Sequence, residues 1–366
     1  MKKFTSMILV SLILFAGLTF IFYGCKQVND ENNTSISTEG KSEVVKKVAN
    51  MLTTNYVLPE TGREMADYIE KKLQEGAYNQ VSDIREFART MTSHLQLISR
   101  DRHLVVFFDP QRARALLNNP QKDEDEIEEL RKKNIEKARE SNFGFEKLER
   151  LSGNVGYLVL RFFANTEYAG ETAEKAMAFL AQCDAVIIDL RRNPGGDPSM
   201  FTLLTSYFFD SKPIHLDSVY SRITGKTKEF WTLAEVKGKR MPDTDLYILT
   251  DRWTFSAAEA FAYNLKHAGR AHIIGEKTAG GAHMVDLYPV DEHLLMYLPI
   301  ARSIHPITRS NWQGVGVKPH IEVPEKEALH RAHIMAVKQL IKKSTDEKKK
   351  KRLEYILETM QESRKE

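Results

Sequence analysis

Residues 246–259 read Leu246-Tyr247-Ile248-Leu249-Thr250-Asp251-Arg252-Trp253-Thr254-Phe255-Ser256-Ala257-Ala258-Glu259. The first five residues are apolar or β-branched, as a strand buried on both faces requires. Small residues at 256–258 then make a turn, and residues 260–265 carry a helical pattern. A strand that feeds a helix through a small-residue turn predicts an α/β core. Such a turn holds a serine hydroxyl clear of the backbone, beside the unpaired amides of a helix N-terminus. Ser256 is therefore a candidate nucleophile with Ala257 N–H as an oxyanion donor. Taken alone, the stretch fits a plain helix cap better, because caps are far commoner than nucleophiles.

Working outward, further strand–helix units flank this one. Upstream, residues 154–163 predict a strand and 166–182 a helix. Residues 185–190 form a continuous apolar strand that closes on Arg191-Arg192-Asn193-Pro194-Gly195-Gly196. Two glycines after a buried strand permit exposed amides, although a simple turn also explains them. A helix over 200–208 and a hairpin over 214–232 follow. Downstream come a short strand at 271–275, a glycine-bearing loop at 276–282, two strand-like runs within 285–299, and a turn-rich segment, Asn311-Trp312-Gln313-Gly314-Val315-Gly316-Val317-Lys318-Pro319. Residues 325–366 predict two amphipathic helices. Toward the N-terminus, residues 42–100 carry three helical repeats of apolar residues, which predict a small bundle. Asp101-Arg102-His103 then precedes a strand at 104–108. The charged segment within 110–150 predicts a solvated helical insert.

The chain has 366 residues and a formal net charge of +3, so charge gives no case for a nucleic-acid partner. Its two cysteines, Cys25 and Cys183, are far apart, and its histidines are scattered without metal-ligand spacing. No cofactor or metal is expected. Lys2 and Lys3 precede an apolar run over 7–23 that ends in Gly24-Cys25. This start resembles a bacterial lipoprotein signal in residues 1–25, with Cys25 lipidated; an uncleaved anchor helix is the alternative. Both place the protein in the cell envelope, exported and held at a membrane. Residues 26–41 then read as a flexible tether.

Five motifs in register resemble the C-terminal processing protease family of serine peptidases, in the interphotoreceptor retinoid-binding protein-like and tricorn-type branch. They are Asp101-x-His103, Asp189-Leu190-Arg191-x-Asn193-Pro194-Gly195-Gly196, Phe255-Ser256-Ala257-Ala258-Glu259, Gly275-Glu276-Lys277-Thr278-Ala279-Gly280-Gly281, and Gly314-Val315-Gly316-Val317-x-Pro319. The resemblance implies a helical N-terminal domain at 42–100 and a crotonase-like (ClpP-like) α/β peptidase domain at 101–324. The interval 108–153 is too short for a PDZ domain, which fits the branch lacking one. One family mechanism uses a lysine in a G-K-G segment. Gly280-Gly281-Ala282 stands there instead, and Lys277 lies too early to match.

The other family mechanism implies Ser256 as nucleophile and His103 as its base. It also implies oxyanion donors from Ala257 and from Gly195 or Gly196, and a Glu that orients the histidine. That last position is Gln313, whose amide oxygen is expected to hold His103 Nδ1 without supplying charge. The expected partner is a peptide or unfolded protein segment. The alternative is a catalytically weak or inactive scaffold that binds a hydrophobic ligand or a peptide.

Overall fold

The computed structural model describes residues 34–118 and 124–362, without the side chains of 118 and 124–130. The lipoprotein-type signal and Cys25 lie outside the described residues.

Three helices open the fold: α1 (Thr38–Asn55), α2 (Pro59–Gln74) and α3 (Ile84–Ser99). Each has its own start signal. Ser37 caps α1 through Gly40 N–H, a proline stands in the first turn of α2, and Asp83 caps α3 through the amides of Arg85 and Glu86. The expected tether is corrected here from residue 34 onward. Ser35 bridges Asp83, Ile36 N–H donates to Ser82 O, and buried Lys41 donates to Tyr78 O. These bonds fix 34–41 against the bundle because a capped helix begins inside the supposed linker.

A short strand, β1 (Val105–Phe108), follows, then α4 (Pro110–Asn118) and α5 (Glu124–Glu140). The charged insert ends sooner than expected. Residues 145–151 form an edge strand, β2 (Phe145–Leu151), antiparallel to β3 (Val155–Leu160). Its alternating charged residues face solvent, which is why it reads as helix in the sequence.

The core is a six-stranded sheet in the order β11–β8–β7–β4–β3–β2. Its remaining members are β4 (Ala185–Asp189), β7 (Asp245–Thr250), β8 (Ala271–Gly275) and β11 (Ile321–Glu322), all parallel to their neighbours. Parallel strands bury both faces. Leu158, Val186, Ile188, Leu246 and Ile248 pack on one side against α6 (Thr166–Leu180), α7 (Pro198–Ser206) and α8 (Ala257–His267). The intervening residues Tyr157, Ile187, Tyr247 and Leu249 pack on the other against α9 (Glu325–Lys343) and α10 (Glu347–Glu362). Truncating one of these buried aliphatics to alanine costs about 2–5 kcal/mol.

A second, antiparallel sheet is built on β10 (Leu294–Ile304), which pairs with β1, with β9 (His283–Pro289) and with β5 (His215–Ser221); β6 (Thr227–Trp231) pairs β5. Leu294, Met296 and Leu298 pack with the N-terminal helices in one apolar cluster. The bundle and the second sheet thus share a core, and the segment joining α3 to β1 carries Asp101 and His103 to the mouth of the central sheet. Among the described residues no helix is long and apolar enough to cross a membrane.

Candidate active site

The site forms at the carboxyl ends of β4 and β7. Asp251 directly follows β7 and is fully buried. Its Oδ1 accepts from the amides of Arg192, Trp253 and Thr254, and Thr254 Oγ1 donates to Leu190 O. Phe255 N–H donates to Asn193 O, and Asn193 Nδ2 donates to Leu160 O. These bonds lock the Ser256 turn to the 191–196 loop, and Ser256 is held at φ 52°, ψ −121° as the N-cap of α8. A residue bearing a Cβ pays roughly 1–3 kcal/mol for such backbone.

The glycines opposite are required. Gly195 has φ 100°, and a Cβ on it would stand 2.8 Å from Ser256 Cβ and from Ala257 N. Gly196 has φ 137°, and its Cβ would strike Phe163 O at 2.2 Å. The two amides differ in availability. Gly195 N–H donates to Asn193 Oδ1 at 2.8 Å, so it is already spent. Among the described residues, neither Gly196 N–H nor Ala257 N–H has a backbone acceptor outside the regular elements, and both residues line a pocket with Ser256. Gly196 N–H and Ala257 N–H are therefore the amides free to receive an acceptor at this pocket, and Gly195, expected as a donor, is corrected to a spacer.

Glu259, one turn into α8, clamps the opposite wall. Its carboxylate accepts from Ser256 N–H (2.9 Å), Thr278 Oγ1 (2.5 Å), Gly280 N–H (2.7 Å) and Gly281 N–H (2.7 Å). Burial outweighs these donors and pushes the carboxyl up to about 7. A Cβ on Gly281 would stand 2.2 Å from the Phe255 ring and 2.6 Å from His103 Cε1. Lys277 is exposed on the same loop, away from these contacts.

His103 is brought to this turn. Its ring lies 4.3 Å from that of Phe255, centroid to centroid, and the guanidinium of exposed Arg102 lies 5.8 Å from the Phe255 centroid. Both His103 ring nitrogens are buried without a hydrogen-bond partner. Gln313 does not hold His103, contrary to expectation. Its Oε1 accepts Ala282 N–H at 2.7 Å, and its Nε2 points to Arg100 O at 3.5 Å. The amide is consumed by two backbone groups, so the carboxylate beside the imidazole is a different one.

That carboxylate is Asp101. Its Oδ1 accepts His103 N–H at 3.0 Å and lies 3.5 Å from His103 Nδ1; its Oδ2 lies 2.6 Å from His283 Nδ1 and accepts from Tyr56 OH at 3.3 Å. Burial alone would raise this group, but the two imidazoles beside it hold it well below the usual carboxylate range. Neither Asp101's role nor His283 is readable from a local pattern. The only signal for His283 is its place just after Gly280-Gly281-Ala282, the loop that closes the site.

The pocket beside Ser256 has a volume of about 50 Å³. Its walls are mainly apolar, with Phe201, Val219, Phe230 and Trp312, and it takes in His283 and the buried carboxyl of Asp217. Ser303 Oγ donates to Asp217 Oδ2 at 2.5 Å; burial pushes Asp217 up to about 6. Cys183 is a buried free thiol, remote in sequence from every site residue.

A serine on a strained strand-to-helix turn thus lies beside two unspent amides and a carboxylate-backed pair of imidazoles. Residues 154–323 match peptidase family S41, and residues 38–143 match the N-terminal domain of Peptidase S41 in eukaryotic IRBP. The chain belongs to peptidase family S41. It is similar to the carboxyl-terminal-processing protease of Picosynechococcus sp., with 28% identity over 50% of this chain and 42% of that protein. It is also similar to the carboxy-terminal processing protease CtpB of Bacillus subtilis, with 25% identity over 54% of this chain and 40% of that one. The chain thus spans less than half the length of these curated relatives. In fold it resembles a solved protein of Parabacteroides merdae, with TM-score 0.57 and 14% identity over 81% of this chain and 96% of that one. A lipoprotein from Streptococcus agalactiae gives TM-score 0.52 and 11% identity over 82% and 96%.

Proposed function

We propose that this chain is a serine endopeptidase of the cell envelope, hydrolysing peptide bonds in peptides or unfolded proteins by Ser–His catalysis on a crotonase-like core. The observation that carries this reading is Ser256 itself, held in strained backbone with Ala257 N–H and Gly196 N–H beside it at one pocket. Serine attacks an acyl carbon only when a base takes its proton, and the imidazoles around Asp101 supply that base. The tetrahedral oxyanion is received by the two amides, each worth on the order of 3 kcal/mol. An extended substrate is required, because a folded one cannot present its backbone at a recessed turn. Lipidation at Cys25 and retention at a membrane follow from the N-terminal sequence and belong to the same proposal.

The binding-scaffold alternative is less well supported. A pocket of about 50 Å³ falls far short of the roughly 300 Å³ at which sites for drug-sized ligands begin. The test is hydrolysis of unfolded casein by the purified chain. The wild type should cleave it and Ser256→Ala should not. Equal cleavage by both would remove the reading.

A further inference from the structure

The geometry points to His283, backed by Asp101, as the general base that activates Ser256. This rests on the serine-peptidase reading above and specifies which imidazole serves it. Three observations converge on His283. Its Nδ1 is committed to Asp101 at 2.6 Å, inside a cluster where the carboxylate and both imidazoles are buried. An ionised carboxylate accepts and does not donate, so the bond fixes the proton on Nδ1 and leaves Nε2 as the basic nitrogen. Finally, His283 forms part of the wall of the pocket that Ser256 opens into.

His103 lacks each of these properties. Its Nδ1 stands 3.5 Å from Asp101 Oδ1, beyond a good hydrogen bond, and neither ring nitrogen has a partner or access to solvent. Phe255 lies against its ring at 4.3 Å, and the only Asp101 bond it makes is through its own backbone N–H. It does not line the Ser256 pocket. Gln313, bound to Ala282 N–H, brings it no charge. His103 thus shapes the cluster, packed between Phe255 and the carboxylate, and His283 carries the proton.

The step balances within the chain and substrate. As Ser256 Oγ bonds to the scissile carbonyl carbon, its proton passes to His283 Nε2. The carbonyl π pair moves onto the oxygen facing Gly196 and Ala257. The new imidazolium is stabilised by the Asp101 charge. It then returns the proton to the leaving amine nitrogen as the C–N bond breaks. A water repeats the sequence on the acyl-enzyme, giving the free acid and regenerating Ser256.

The test uses the full chain and a fluorophosphonate probe, which bonds only to an activated serine. His283→Gly should label at least about 100-fold more slowly than wild type, the lower end of what a general base contributes. Added imidazole should restore a large part of that loss, which a merely structural histidine would not allow. His103→Gly should slow labelling less than His283→Gly, with no gain from imidazole. Circular dichroism checks that each variant is folded. Rescue of His103→Gly together with no rescue of His283→Gly overturns the assignment. So does near-wild-type labelling of His283→Gly. A wild type that never labels removes the serine-peptidase reading instead, so the two failures are distinguishable.

Discussion

His283 Nδ1 lies 2.6 Å from Asp101 Oδ2, although 182 positions separate the two residues. The bond joins the start of β9 to the segment between α3 and β1, so the helical N-terminal region supplies a carboxylate to a site otherwise built from the central sheet. Asp101→Asn keeps the shape and removes the charge. A hydrogen bond to a charged group is typically worth about 1.5–3 kcal/mol, and the melting temperature at pH 7 should fall accordingly. The sign of the pH effect follows from linkage. Asp101 is held below its unfolded value, so it stabilises the fold above the usual carboxylate range and loses that contribution as pH falls. The gap between wild type and Asp101→Asn should therefore narrow on acidification. A gap independent of pH would contradict the charge role.

Asp217 predicts the opposite trend. Its carboxyl is pushed up to about 6 by burial. Between about pH 4 and 6 the folded chain holds a proton that the unfolded chain has released, so stability from this group declines as pH rises through that window. Asp217→Asn removes the dependence. Relative to wild type, the variant should gain roughly 2–3 kcal/mol between pH 4 and pH 7. Melting curves of the two proteins across that range check it; parallel pH profiles would refute it.

Glu259 holds Ser256 N–H and the Gly280–Gly281 amides together. Glu259→Gln places an NH2 group against donors. At pH 8, leaving one or two buried donors unmet should cost about 2–4 kcal/mol and slow any Ser256-dependent reaction. A variant with unchanged melting temperature and unchanged reactivity would show that the clamp is dispensable.

Gln313 gives a prediction that separates two roles for one residue. Bound as it is to Ala282 N–H, it supports the start of β9 rather than tuning an imidazole. Gln313→Glu keeps the acceptor and should leave the rate of casein hydrolysis within about threefold. Gln313→Ala strands the Ala282 amide and should lower stability by about 1–3 kcal/mol. A large rate increase in Gln313→Glu would restore the histidine-orienting role expected from the sequence.

The legible parts of this chain were local. The strand–turn–helix around Ser256 and the doubly apolar strand Ala185–Asp189 carry their signals in adjacent residues, and the fold keeps them. The glycine pair at 195–196 was legible as a turn with exposed amides, but not which amide is free. That depends on the Asn193 side chain folding back onto Gly195 N–H. Gln313 bonds Ala282 N–H, a partner that was not foreseeable, because a side-chain amide bonds equally well to a ring nitrogen or to a backbone N–H. The Asp101–His283 pair was invisible for a topological reason. β9 and the α3–β1 link meet only once the second sheet forms on β10, and no spacing rule spans that distance.

An activated Ser256 should bond to an electrophile that ordinary serines leave untouched. Incubating the full-length chain with a fluorophosphonate probe and mapping the adduct by mass spectrometry tests it most directly. One adduct is expected, on Ser256, absent from Ser256→Ala. An adduct on another serine, or labelling of Ser256→Ala equal to wild type, would contradict it.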